Sequence, residues 1–154
     1  MTGLVPSTPA DEETDITNTP FFPAISPADC RLVIRLEQNI TAERLRAALV
    51  NAIMHINTTL DSWKNEQIAA GFSTLDDIEA EEIDGTSINL QHYKRAVYFH
   101  AKAELIDQYL DADVTASGVQ RAEEKGETAD DYRRGSILAI RSILGRPQST
   151  VELI

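Results

Sequence analysis

Between Thr41 and Gly71 the apolar side chains Leu45, Leu49, Ile53, Ile56, Leu60 and Trp63 recur at steps of three and four. That spacing puts all of them on one face of a helix. Glu43 falls in the first turn, near the positive end of the helix dipole, and Gly71 supplies the left-handed residue at which helices stop. The pattern predicts one long helix over about 42–70, spanning about 45 Å. A second stripe, Leu90, Tyr93, Val97, Ala101, Leu105 and Tyr109, predicts a helix ending near Asp111, with His100 and Glu104 on the edge of its apolar face. Ahead of both, Ser26-Pro27-Ala28-Asp29 reads as a helix start: a serine N-cap, proline in the first turn and an acid at the positive end. A short helix to about Leu36 follows from it.

The last helix must reach Gly145, where glycine followed by Arg146-Pro147 is a firm stop. Its start has two readings. Thr128-Ala129-Asp130-Asp131 resembles a capped N-terminus, yet Ala122, Gly126, Ala129, Ile137, Ile140 and Leu144 keep one helical phase through that point. The second reading is favoured, with a helix from about Val119 and a weak point at Gly126. Asp111 to Gly118 is a polar turn region. Gly71 to Gly85 is an acidic connection carrying Asp76, Asp77, Glu79, Glu81, Glu82 and Asp84, with Leu75, Ile78 and Ile83 tacking it onto the bundle.

The two ends differ from the middle. Met1 to Asn18 is Pro, Thr, Ser, Asp and Glu with few large apolar groups, too little to offset the entropy of ordering. Phe21, Phe22 and Ile25 then form an abrupt apolar patch between prolines, suited to docking in extended form onto a partner or onto the chain's own core. Thr150 to Ile154 alternates polar and apolar residues, as a strand added to a partner's sheet or a frayed tail would. The expectation is an all-α fold: an extended N-terminal arm (1–25), a small helical bundle (26–146) and a C-terminal tail (147–154).

Composition narrows the function. At 154 residues the chain is long enough for one core, and its 42% hydrophobic share leans on alanine, with only 6% aromatic residues, which favours helix. A net charge of −11 opposes attraction to phosphates, so nucleic acid is not the default partner. The lone Cys30 cannot form an internal disulfide, and no apolar run approaches the ~20 residues of a membrane span. Met1 to Ala10 has neither the basic region nor the apolar block of a signal peptide, which points to synthesis in a reducing, intracellular compartment.

No constellation of catalytic residues emerges. None of His55, His92 and His100 follows a glutamate by three positions, so the paired Glu-x-x-His motif of carboxylate-bridged iron bundles is absent. His92 and His100 would sit about 12 Å apart on one helix. His100 and Glu104, one turn apart, are the remaining metal pair, and they motivate the rival reading of a metal-dependent helical enzyme. Asp111-x-Asp113-x-Thr115 opens like a calcium loop but has Ala116 at the glycine position and Ala122 at the bidentate-acid position. Cys30 has no evident histidine partner. No catalytic residue, metal or cofactor is therefore expected, and a cytoplasmic module binding a partner helix is a second rival.

The charges are unevenly placed. Arg134 and Arg141 line one stripe of the last helix, with Arg133 beside them and Arg146 past its end, while acids gather over 76–84. Arginine and acid faces on one chain can associate head to tail, and such contacts close into rings. Candidate subunit or partner contacts are Phe21, Phe22, Arg133, Arg134, Arg141, Arg146, Val151, Leu153 and Ile154.

Several strings, in this order and spacing, resemble a known family: Phe21-Phe22-Pro23, Thr41-Ala42-Glu43-Arg44-Leu45-Arg46, Ile83-Asp84-Gly85, Tyr93-Lys94-Arg95-Ala96-Val97-Tyr98, Thr115-Ala116-Ser117-Gly118, Thr128-Ala129-Asp130-Asp131, Ile143-Leu144-Gly145-Arg146-Pro147 and Thr150-Val151-Glu152-Leu153-Ile154. From about Phe21 to the C-terminus the chain is similar to the head completion proteins (GPL) of contractile-tailed phages. The resemblance implies a virion structural protein made in the host cytoplasm that joins the portal vertex after DNA packaging. It also implies a ring of about twelve copies set by portal symmetry. Such a ring would hold the DNA in, let it pass through the lumen without sequence-specific binding, and offer a platform to a tail-completion or tail-terminator protein.

Overall fold

Over residues 13–112 and 128–146, which the computed structural model describes, helices carry the fold: α1 (Pro27–Val33), α2 (Ala42–Thr59), α3 (Asp61–Ala69), α4 (Ile88–Ala112) and α5 (Ala129–Ile143). The sole sheet among these residues is a hairpin of β1 (Glu82–Ile83) and β2 (Thr86–Ser87), paired Glu82 to Ser87 and Ile83 to Thr86. The mainly α-helical expectation holds.

α1 starts as its sequence dictates. Ser26 is extended, its hydroxyl accepts from the Asp29 amide at 3.0 Å, and Pro27 opens the helix. The α2 stripe is buried as expected at Leu45, Leu49, Ile53, Ile56 and Leu60, with Trp63 partly buried against the same core. The single long helix over 42–70, however, is two. At Leu60 the backbone turns (φ −92, ψ 2), and α3 begins at Asp61. The cause lies one turn earlier: Thr58 and Thr59 donate their hydroxyls back to the Met54 and His55 carbonyls at 2.8 and 2.9 Å. Paired threonines bonded in this way bend a helix. The ladder resumes at once, with the Lys64 amide on the Leu60 carbonyl at 2.8 Å. Trp63 then lies edge-on to Phe21, ring centroids 6.2 Å apart.

α4 is the spine. It buries Tyr93, Val97, Ala101 and Leu105, as the stripe requires, and Ala96, Tyr98 and Ala103 besides, because it packs against both α2 and α5. On α5 the start differs from the favoured expectation. Thr128 is extended (φ −94, ψ 166), its side chain accepts from the Asp131 amide, and the Asp131 carboxylate accepts from the Thr128 amide. This reciprocal cap ends the helix at Ala129, so no helix runs through Thr128. The phase also shifts: Ala129, Ser136, Ala139, Ile140 and Ile143 face inward while Ile137 faces out. The seam is close enough that a Cβ on Gly135 would stand 2.4 Å from the Phe99 ring, and the Ser136 hydroxyl reaches the Ala96 carbonyl at 2.8 Å. Val119, Gly126, the polar turn after Ala112 and the tail 147–154 lie outside the described residues.

The arm is corrected from Glu13 onward. Residues 13–25 are a strap folded onto the helices, closed on itself by paired backbone bonds between Ile16 and Ile25 at 2.7 and 3.1 Å. Arg31 pairs with Glu13, and Arg46 donates to the Thr14 carbonyl at 2.8 Å. Three side chains then form a closed ring of hydrogen bonds. The Tyr93 hydroxyl donates to Asn57 Oδ1 at 2.6 Å, Asn57 Nδ2 donates to Asn18 Oδ1 at 2.9 Å, and Asn18 Nδ2 donates to the Tyr93 hydroxyl at 2.8 Å. Asn18 Nδ2 also reaches the Pro23 carbonyl at 2.9 Å, fixing the strap's turn. Burial pushes the Tyr93 phenol up to about 12 despite the donor from Asn18, so the hydroxyl stays protonated.

Two stability predictions follow from these contacts. Tyr93→Phe leaves Asn57 Oδ1 without its donor and takes from Asn18 Nδ2 one of its two acceptors, and should cost about 1–3 kcal/mol in urea unfolding. Gly135→Ala should cost about 1–3 kcal/mol by overpacking against Phe99. Combining it with Phe99→Leu should cost less than the sum of the two single changes, because both act at one contact. Strict additivity in that cycle would place the Gly135 requirement elsewhere.

Candidate assembly interface

Six of the nine contact residues expected from the sequence lie among the described residues. Phe21 and Phe22 are corrected: both are buried in the chain's own core. Phe22 stacks on Tyr93, centroids 4.7 Å apart and planes 9° from parallel, and Phe21 meets Phe22 edge-on at 5.0 Å. Strap and helices share one chain, so the nearest apolar face claims these rings first. Arg133 pairs with Asp107 of α4 and, at 2.7 Å, with Asp130, which commits it to the α4–α5 seam. Arg134 lies 3.8 Å from Asp131 and its side chain is 73% exposed. Arg141 shares its side of α5, with Ile137 between them 53% exposed, and Arg146 is exposed just beyond the helix. Val151, Leu153 and Ile154 lie outside the described residues.

The acidic connection is more ordered than expected. A short 3₁₀ turn, Leu75–Asp77, is capped by Thr74, and Leu75 is fully buried with its amide on the Phe21 carbonyl at 2.9 Å. Ile78 packs against the core too. Ile83 does not tack the loop down: it is 61% exposed, on β1. The hairpin turns at Asp84-Gly85, both at positive φ (56 and 72), the conformation a two-residue hairpin turn requires. Gln91 secures it from α4 by donating to the Ile83 and Thr86 carbonyls at 2.8 and 2.9 Å. The Asp-Gly pair signals such a hairpin and is visible in the sequence.

Five further exposed apolar residues escaped the sequence reading: Leu32, 86% exposed, with Val33 on α1, Val50 with Met54 on α2, and Ile68 on α3. Their signal is that they lie off the buried stripes. Val50 and Met54 are four apart, one turn of outer helix face.

The ionisable groups serve packing. His100 stacks on His55, centroids 4.3 Å apart and planes 13° from parallel, and Glu104 accepts from Asn51 at 3.0 Å and Gln108 at 3.3 Å. Among the described residues no group of three or more histidine, cysteine or acidic side chains could hold a metal, and no helix is long and apolar enough to cross a membrane. Burial pushes the Cys30 thiol up to about 12, with Asp29 adding to the effect. Burial, then the hydrogen bond donated to Asp29 at 2.6 Å, holds the Tyr98 hydroxyl far above its usual range and ties α4 to α1.

His100 titrates below its usual value, mainly through burial, with His55 and Arg133 contributing and Glu104 opposing. His92 is lowered by burial and by Arg95. A base that binds its proton less well folded than unfolded costs stability as pH falls, because the unfolded chain takes up the proton first. The urea midpoint should therefore drop as pH is lowered through about 6.5, and His100→Gln should flatten that slope. An unchanged slope in the variant would assign it to other groups.

A family model described as phage head completion protein (GPL) matches residues 16–154. The chain is 38% identical over 146 residues to a protein of Escherichia phage P2 named head completion/stabilization protein, covering 95% of this chain and 86% of that one. No solved structure matches. The match begins at Ile16, inside the strap, and takes in every helix that follows, so the chain belongs to the phage head completion protein (GPL) family.

Proposed function

We propose that this head completion protein is a connector subunit: it docks under the portal after DNA packaging, associates with copies of itself in a ring of about twelve set by portal symmetry, retains the DNA and presents a platform to the next tail component. The observation that carries the reading is the 38% identity, along almost the whole chain, to a head completion/stabilization protein. The surfaces support it. The core is closed by the chain's own strap, yet Leu32, Val33, Met54, Ile83 and Ile137 remain outside it. Exposed apolar anchors of this kind provide binding energy on assembly, and charged surroundings set register. A net charge of −11 also keeps a free subunit soluble and leaves packaged DNA without a general attraction to it.

The test uses heads assembled with and without this protein, together with purified chain mixed with portal and imaged. Expected are DNA that becomes nuclease-sensitive in heads lacking the protein and an added ring beneath the portal. Heads that keep their DNA protected without it, and portals that stay bare, would remove the connector role.

A further inference from the structure

α1 ends in two exposed apolar residues with a cation beside them. Leu32 is 86% and Val33 63% exposed. Ile34, next in line, is buried and extended (φ −109, ψ 129), so Val33 and Arg35 both stand on the outer side, about 6–7 Å apart. Arg35 is exposed, and its side chain makes no ion pair or hydrogen bond among the described residues. The charges on either side of it are taken: Glu13 holds Arg31, and Glu37 has a partner of its own. Past Arg146 the chain carries a segment with matching spacing, because Glu152 and Ile154 are two positions apart in the alternating run Thr150 to Ile154. We propose that the tail 147–154 of one copy docks on the end of α1 in a second copy, Ile154 against Val33 and Glu152 against Arg35. The inference rests on the connector reading and supplies a copy-to-copy contact.

Charge selects this site over the other exposed apolar residues. A segment that pairs an acid with apolar side chains needs an apolar surface next to a cation that nothing else holds. Ile83 stands among Glu81, Glu82 and Asp84, which repel an acid. Ile137 lies between Arg134, 3.8 Å from Asp131, and Arg141, which has a partner. Ile68 follows Lys64, paired with Asp61 at 3.0 Å, and Arg46, one turn before Val50, is held by the Thr14 carbonyl. The end of α1 is left. The tail also falls inside the family match, which runs through residue 154 but leaves out residues 1–15.

The geometry favours a second copy as the source of the tail. The Lys102 ammonium donates to the Arg35 carbonyl at 2.7 Å and lies 5.7 Å from the centroid of the Tyr132 ring. The end of α1 is therefore beside the first turns of α5. The tail leaves from the other end, past Gly145, about 20 Å along the helix from Tyr132. Docking at home would make the tail retrace nearly all of α5, whereas patch and tail at opposite ends of one helix meet directly between copies. The contact is then heterologous and repeats from copy to copy until a rotation closes it. A single contact of this size is weak and salt-sensitive, and ring closure multiplies it.

The test is a charge-reversal cycle in the full-length chain, read by sedimentation velocity at low salt. Wild type should self-associate. Arg35→Glu and Glu152→Lys should each weaken association at least about twofold. The double variant, in which an acid at 35 again meets a base at 152, should regain it, and that restoration shows that the single changes did not act by unfolding the chain. Removing 147–154 should leave a monomer, as should Val33→Asp at its exposed position. A monomeric wild type, a truncated chain that still associates, or a double variant no better than the single ones would overturn the contact. The first of these is also the result of a tail folded back on its own chain. Portal binding by the wild-type chain is scored separately: a chain that binds portal but fails the cycle keeps the connector role and loses this interface.

Discussion

The hydrogen-bond ring of Asn18, Asn57 and Tyr93 is the constraint on which the rest of the molecule depends. It joins the strap, α2 and α4, and each member both donates and accepts inside it. Among the described residues no buried side-chain nitrogen or oxygen lacks a partner. A half-satisfied polar cluster in a small core would be worse than none, whereas a closed one specifies a single register between three segments. Because Asn18 is held, the Pro23 turn is held, and Phe21 and Phe22 are delivered into the space between Tyr93 and Trp63. The strap thereby becomes part of the core of the domain it precedes.

A second constraint is the narrow seam between α4 and α5. Gly135 has no Cβ to keep the helices apart, so Phe99 lies over its backbone, Tyr132 closes edge-on at 5.4 Å, and Arg95 covers the ring from 5.3 Å. Close approach brings the Ser136 hydroxyl to a helix carbonyl. The same approach turns Ile137, 53% exposed, away from the core. Packing on one side of this helix thus decides what its other side offers.

Legibility followed how local the cause was. The faces of α2 and α4, the Ser26 cap and the left-handed stops at Gly71 and Gly145 are set by neighbours within one turn, and all were readable. The bend at Leu60 was encoded by Thr58-Thr59, but those side chains bend the helix only by bonding to the preceding turn, which a count of apolar spacings does not weigh. At Thr128 the two readings were both in view, and apolar phase was preferred over the cap although the cap is the stronger local signal. The phase itself misled, since Ile137 is apolar and outward while Ser136 is polar and inward. Phe21 and Phe22 were readable as docking residues, with a partner and the chain's own core both open as the dock, and the structure gives them to the core. That depends on Asn18 finding Asn57 and Tyr93, partners 39 and 75 positions away.

This relocation of the phenylalanines changes how the chain can take part in an assembly. An arm that docks on a neighbour carries its apolar surface exposed until assembly; a strap that docks at home does not, and the subunit is complete before it meets a partner. The apolar side chains left exposed among the described residues are then few and separate: Leu32 with Val33, Val50 with Met54, Ile68 on α3, Ile83 on the hairpin and Ile137 on α5. Each is small alone, and several engaged together would hold far more tightly than any one. Stability is thus settled within each subunit by the strap and the α4 seam, and whatever the outer faces offer is set by what that packing leaves uncovered.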